Sequence, residues 1–152
     1  MSRTARSDDQ GQRDPARATQ PDWLEPELAT LTADRFSDPA WIFERKFDGE
    51  RCLALRAGQQ LRLMTRNQLQ VTGTYPEIAD ALRAQEASDF IVDGEVVAFD
   101  GDRTSFSRLQ RRLGVRDPGP ALCAEVPAYL YVFNVLWAGS RDVRPLALRE
   151  RT

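Results

Sequence analysis

Three short segments between residues 41 and 65 constrain the fold more than any other feature. WIFERKF (41–47), ERCLALRA (50–57) and QLRLMT (60–65) alternate apolar and polar residues, separated only by Asp48-Gly49 and a turn at Gly58. A period of two is the strand period, and Asp-Gly and Gly are tight-turn residues. Strands joined this closely pair as antiparallel neighbours. In the first segment Trp41, Phe43 and Phe47 are expected to point one way, and Ile42, Glu44 and Lys46 the other.

The downstream pattern adds helices. Thr74-Tyr75-Pro76-Glu77 reads as a capping box, and the helix behind it runs to about Gln85 with Ile78, Ala81 and Leu82 on one face. FIVDGEVVAFD (90–100) reads as a long strand or a hairpin. A second helix is expected from Ser105 to Leu113 with a stop at Gly114. Residues 116–127, with three prolines and a glycine, read as loop, and AYLYVFNVLW (128–137) as an aromatic strand. PLALRERT begins as a helix would. The prediction is an α+β fold, antiparallel sheets with flanking helices. Residues 1–20 have no large apolar residue after Met1 and read as a disordered tail, a transit peptide being the weaker alternative. Residues 21–152 form the domain.

Composition removes several classes of chemistry. The chain has 152 residues, room for one domain with a real core. A net charge of -2 excludes a globally basic nucleic-acid coat, so any nucleic-acid contact must be a local patch. There is no histidine, which excludes Ser-His-Asp and Cys-His catalysis and His-ligated metals. Cys52 and Cys123 fit neither a disulfide scaffold nor a zinc cluster, and read as inert small residues. Of 21 basic residues, 20 are arginine and one is Lys46. Arginine replaces lysine wherever only charge is needed, but guanidinium is no nucleophile. Codon bias and a requirement for an amine at position 46 both account for that count.

Lys46-Phe47-Asp48-Gly49-Glu50-Arg51 decides between them. It has the form K-x-D-G-x-R, the signature of the covalent nucleotidyltransferases. From about Pro26 onward the chain resembles an ATP-dependent DNA ligase of the bacterial end-joining type, in the N-terminal part of its adenylation domain. EPELATL resembles the family's lead-in. Thr65-Arg66-Asn67, Asp93-Gly94-Glu95-Val96-Val97 and Tyr131-Val132-Phe133-Asn134 resemble later motifs in order and spacing.

The resemblance implies that Lys46 attacks the α-phosphate of ATP, that the adenylate passes to a DNA 5′-phosphate, and that a 3′-hydroxyl then seals the nick, in repair and recombination. It implies that Glu44 meets the adenine, that Arg51 and Arg66 contact nucleotide and phosphate, that Glu95 meets the ribose or Mg²⁺, and that Phe133 stacks on the purine. It also implies a bacterial, cytoplasmic, nucleoid-associated protein with no membrane. Asp93 shares a strand face with Glu95, an arrangement that suits Mg²⁺ and equally suits ordinary turn chemistry. Asp48 reads as a turn-shaping residue. Arg108, Arg111 and Arg112 fall on one side of the second helix, either as a solvated face or as a surface for DNA phosphates.

The sequence also departs from the family pattern. Asn134 stands where the family has Asp. The family's later Glu-Gly motif, its lysine pair and its oligonucleotide-binding-type domain are not among these residues. The expectation is a chain inactive alone, completed by a separately encoded C-terminal ligase portion or belonging to a longer product. A non-catalytic nucleotide- or DNA-binding remnant, and the RNA-ligase or capping branch, are the alternatives.

Overall fold

The structure, a computed structural model, describes residues 16–28, Ala33 and 42–152. Residues 1–15 of the expected tail, the end of the EPELATL lead-in and Trp41 lie outside the described residues.

A five-stranded antiparallel sheet organises the chain. In chain order, β1 is Glu50–Ala57, β2 Gln60–Thr65, β3 Asp89–Val97, β6 Tyr129–Ala138 and β7 Arg141–Asp142. Their order across the sheet is β2-β1-β3-β6-β7. A two-residue loop joins β1 to β2, where Ala57 pairs with Gln60 and Gly58 takes φ +61°. That left-handed conformation favours glycine, so the turn was legible in the sequence. Between β3 and β6 lie the short hairpin β4 (Phe99–Asp100) and β5 (Arg103–Thr104) and the helices α2 (Phe106–Leu109) and α3 (Pro120–Glu125). Helix α1 (Pro76–Arg83) connects β2 to β3. No helix among the described residues is long and apolar enough to cross a membrane.

Each face of the sheet has its own core. Cys52, Ala54, Leu63 and Val96 pack with Tyr75, Ile78 and Ala79 of the α1 region and with Leu109 and Val126. Leu53, Leu55, Ile91, Leu136 and Trp137 pack on the other face around Leu24. Leu24 belongs to a strap, residues 16–28, that crosses this second face. Arg17 bridges to Arg141, and the Gln20 amide donates to Asp89 at 2.8 Å and to the Arg56 carbonyl at 2.8 Å. The tail boundary expected at residue 20 therefore falls inside a docked segment.

Several local expectations are corrected. Residues 42–47 form no strand: the turn at 48–49 leads into β1 but has no partner strand before it. The capping box at 74–77 does not form. Tyr75, not Thr74, is the N-cap of α1 and gives no side-chain cap, and the Glu77 carboxylate that would reach back is bonded to Arg112. Ile78 and Ala79 are the buried residues of α1, while Ile78, Ala81 and Leu82 share the face expected of them, along a cavity beside β6. Helix α2 is a single turn, its N-cap Ser105 accepting from the Arg108 amide at 3.3 Å. The stretch read as loop contains α3, started by Pro120 at its first turn, where a proline lacks only an amide hydrogen that would have no helical partner. PLALRERT supplies one 3₁₀ turn, Leu148–Glu150.

Candidate functional site

Lys46 sits on the exposed, irregular segment just before β1. It lines an open pocket of about 290 Å³ together with Glu44, Arg45, Phe47, Glu95 and Phe133. Four of the residues singled out by sequence (Glu44, Lys46, Glu95 and Phe133) are thus gathered in one place, from three separate stretches of chain. The reason given for grouping Glu44 with Lys46, a shared strand face, does not hold. The two meet through the irregular path of 42–47. Arg66 lies elsewhere, in a neighbouring depression of about 220 Å³ that also includes Glu50, Arg51 and Asn67.

Phe133 reaches the pocket through a defect in the sheet. Asp93 pairs with Asn134 and Gly94 with Val132, which leaves Phe133 as the extra residue of a β-bulge. Bulges re-aim side chains and recur beside active sites. Gly94 makes this one possible: a β-carbon there would collide with the Tyr131 carbonyl oxygen. The D-G-E and Y-V-F-N signals are the two sides of a single irregularity.

Arg51 and Asp93 form the polar floor. Both Asp93 oxygens accept from Arg51, Oδ1 from Nε and Oδ2 from Nη2, each at 2.6 Å. Asp93 is fully buried, and this bidentate pair raises the Arg51 pKa. A third contact from Arg51 Nη2 reaches the Glu27 carbonyl of the strap at 3.0 Å. The guanidinium also lies over the Phe133 ring, 4.8 Å from its centroid. Asp93 is therefore committed to Arg51, and the expected sharing of Mg²⁺ between Asp93 and Glu95 is not what its geometry offers. Glu95 is half-buried. Burial pushes its carboxyl above the ordinary range, while Arg51, the Gly49 amide and Lys46 pull it down. Among the described residues no group of three or more Asp, Glu, Cys or His is arranged to hold a metal ion. Of the pocket's two carboxylates, Glu44 and Glu95, Glu95 is the hard oxygen donor that suits a cation completing its shell with phosphate oxygens and water.

The turn after Lys46 is held on several sides. The Asp48 amide donates to Thr104 Oγ1 at 3.2 Å, and Asp48 Oδ2 accepts from the Phe106 amide at 3.0 Å. Gly49 lies so close to the Val96 carbonyl oxygen that a β-carbon would overlap it. Its need for glycine comes from this contact with β3. Glu50 accepts from the Tyr75 hydroxyl at 2.8 Å. Asp48 shapes the turn, as read from sequence. The Tyr75 and Glu27 contacts had no sequence signal.

The arginines of 103–116 do not form the expected face. Arg112 is completely buried, bonded to Glu77, to the Thr74 carbonyl and to the Val126 carbonyl. Arg108 and Arg111 both turn to Glu125 of α3. Asn134 is buried and accepts from Arg151 Nη1 at 2.8 Å. A larger cavity of about 460 Å³ lies between α1 and β6, but its one charged group is Glu77, already paired with Arg112, and it holds no amine.

Comparison with known proteins agrees with this architecture. A probable DNA ligase of Koribacter versatilis is 36% identical over 111 residues, covering 72% of this chain and 19% of the relative. A probable DNA ligase of Sorangium cellulosum is 36% identical over 115 residues, covering 74% of this chain and 22% of the relative. The chain therefore spans about a fifth of the length of these curated relatives. Among solved structures, the ligase domain of LigD from M. tuberculosis superposes with a TM-score of 0.57 at 26% identity, covering 71% of this chain and 33% of that one. Residues 26–152 match the family described as "ATP dependent DNA ligase domain", and with most of its length inside that match the chain belongs to the ATP-dependent DNA ligase family.

Proposed function

We propose that this chain supplies the nucleophile and much of the nucleotide pocket for ATP-dependent DNA ligation. The observation that carries the reading is that the sole lysine shares one pocket with Glu44, Glu95 and Phe133. In this reading the unprotonated Lys46 Nζ attacks the α-phosphorus of ATP. An N–P bond forms as the amine gives up a proton to water, the bond to the bridging oxygen breaks, and pyrophosphate leaves with the electron pair. The adenylate is then transferred to a DNA 5′-phosphate, and a 3′-hydroxyl displaces AMP to close the backbone.

Phe133 offers the purine a ring to stack on. Arg51 already covers one of its faces, so a base takes the other. Glu44 accepts from the adenine N6 amine, which favours ATP over GTP because guanine presents an oxygen at that edge. Glu95 accepts from the ribose hydroxyls or, with phosphate oxygens, holds Mg²⁺, which when bound offsets the charge on the triphosphate. Arg51 and Arg66 supply positive charge on the neighbouring side. Arg51 acts mainly by holding Asp93 and Phe133 in place, because most of its fork is already bonded.

Residues 1–152 contain no second lysine to neutralise the triphosphate, and phosphoryl transfer depends on positioned cations. The test therefore joins residues 1–152 to the C-terminal part of a homologous ligase and incubates the product with α-labelled ATP and Mg²⁺. The expected result is an acid-labile, hydroxylamine-resistant label that Lys46→Arg abolishes, and sealing of nicked duplex by the extended chain. Residues 1–152 alone are expected not to seal. A label that persists in Lys46→Arg overturns the reading.

A further inference from the structure

Lys46 lies on a segment that is itself neither strand nor helix, and beside it Phe47 packs on Tyr131 of β6 with ring centroids 4.4 Å apart. Its position is set by that contact and by whatever fixes the turn that follows it. Two of the holds on that turn come from short elements: Thr104 is in a two-residue strand and the Phe106 amide starts a one-turn helix. A third is the close approach of Gly49 to the Val96 carbonyl of β3. The fourth is different. Tyr75 is fully buried at the head of α1, and its hydroxyl donates to Glu50 Oε2 at 2.8 Å. Its ring lies under the Arg112 guanidinium, 5.7 Å from the centroid. Arg112 is itself locked by the Glu77 carboxylate and by the carbonyls of Thr74 and Val126.

We propose that Tyr75 is a positioning residue for the Lys46 nucleophile, its hydroxyl tying Glu50 and the 48–50 turn to the buried Arg112–Glu77 pair. The role assigned to Lys46 rests on the ligase reading above, but the tie between Tyr75 and the turn does not. Burial makes the hydrogen bond strong. The phenol is removed from water, and Glu50 is a charged acceptor at a short distance. The geometry of the chain makes it effective, since Glu50 begins β1 and is separated from Lys46 by only three residues.

Two measurements test the proposal separately from the ligase assignment. The first is amide hydrogen exchange in nucleotide-free residues 1–152. Tyr75→Phe keeps the ring beneath Arg112 and removes only the hydroxyl. It is expected to speed exchange at Phe47–Arg51 by about tenfold, the scale set by one hydrogen bond to a charged group, while β3 and β6 keep their protection. Should Tyr75→Phe fail to fold, Glu50→Leu breaks the same bond from its half-buried end. Glu50→Gln retains an acceptor and should exchange like the wild type. The second is the rate of Lys46 adenylation in the chain joined to a homologous C-terminal part. There Tyr75→Phe should lower kcat about tenfold and leave the KM for ATP unchanged, with Glu50→Gln close to wild type. Unchanged exchange at 47–51 in Tyr75→Phe overturns the proposal, as does exchange that rises equally throughout the sheet. A tie seen by exchange in a protein whose Lys46→Arg variant still labels would instead refute the ligase reading and leave the tie standing.

Discussion

The two faces of the β1–β3–β6 sheet are built on opposite rules. The face beneath α1 is packed around Tyr75, Leu109 and Val126, its buried cations Arg56 and Arg112 are surrounded by acceptors, and where it opens, between α1 and β6, it does so into an apolar cavity without an amine. The other face is closed only where Leu24 covers Leu53, Leu55 and Ile91. Toward Lys46 it opens into a pocket, and Phe43, Tyr129 and Tyr131 are exposed. The closed face carries most of the packing, and the open face gathers the candidate site residues. Apart from the Tyr75–Glu50 tie that joins them, changes on one should be nearly silent in the measurement that reports on the other.

The largest expected effect is on the open face. Lys46→Arg should remove the covalent adenylate entirely, because guanidinium is not nucleophilic, while shifting the unfolding free energy by no more than about 0.5 kcal/mol. Denaturant unfolding beside the labelling assay checks both halves. A large loss of stability would break the comparison.

On the closed face the equivalent is Glu77→Ala, which leaves Arg112 buried without its carboxylate. Breaking a buried pair from one side costs about 3–5 kcal/mol, and because Glu77 is partly exposed the lower end is expected. The same pair sets a pH dependence. Burial alone would raise the Glu77 pKa, but hydrogen bonds from Arg112 and the Ala128 amide bring it below the ordinary value. A carboxyl whose folded pKa is depressed binds its proton more readily in the unfolded chain. Its contribution is therefore complete above the ordinary glutamate value of about 4.3 and is lost as the pH falls from there through the folded value. Urea midpoints measured down that range should fall more steeply for the wild type than for Glu77→Gln.

A smaller effect returns to the open face. Phe133→Ala should weaken ATP binding by about 1–3 kcal/mol, the usual worth of one base stacked on an aromatic ring. Titration calorimetry of the extended chain measures it, and unchanged affinity would place the purine elsewhere. The smallest is Ser105→Ala, which removes the cap of α2 and should cost about 1 kcal/mol in thermal unfolding.

The legible parts of the molecule were those whose determinants are local. β1 and β2 follow from alternation and Gly58, and β6 from its run of apolar and aromatic residues. The site residues Glu44, Lys46, Glu95 and Phe133 were recognised by motif, and the structure gathers them in one pocket. What could not be read were the contacts that override local preference. Thr74-Tyr75-Pro76-Glu77 has the letters of a capping box, yet the helix starts from Tyr75 and a distant arginine, Arg112, claims the Glu77 carboxylate. WIFERKF has strand periodicity but lacks a neighbour to pair with over 42–47. The commitment of Asp93 to Arg51 depends on cross-strand register, in which Arg51 stands opposite Glu95 and beside Asp93, and no one-dimensional pattern encodes that.

The strap across the second face bears on where this folding unit is taken to start. Family similarity begins at residue 26, but Leu24 lies among Leu53, Leu55, Ile91, Leu136 and Trp137, and Gln20 is fastened to Asp89. Asp89 also receives the Trp137 indole and the Ser140 hydroxyl, so one carboxylate ties three parts of the chain together. An expression product trimmed to the region of similarity would strip the lid from that apolar cluster, losing about 1.5–3 kcal/mol at Leu24 alone and leaving a sticky patch beside β6. Homology delimits what relatives share. The folding unit takes in at least Arg17, whose bridge to Arg141 lies well before the region of similarity.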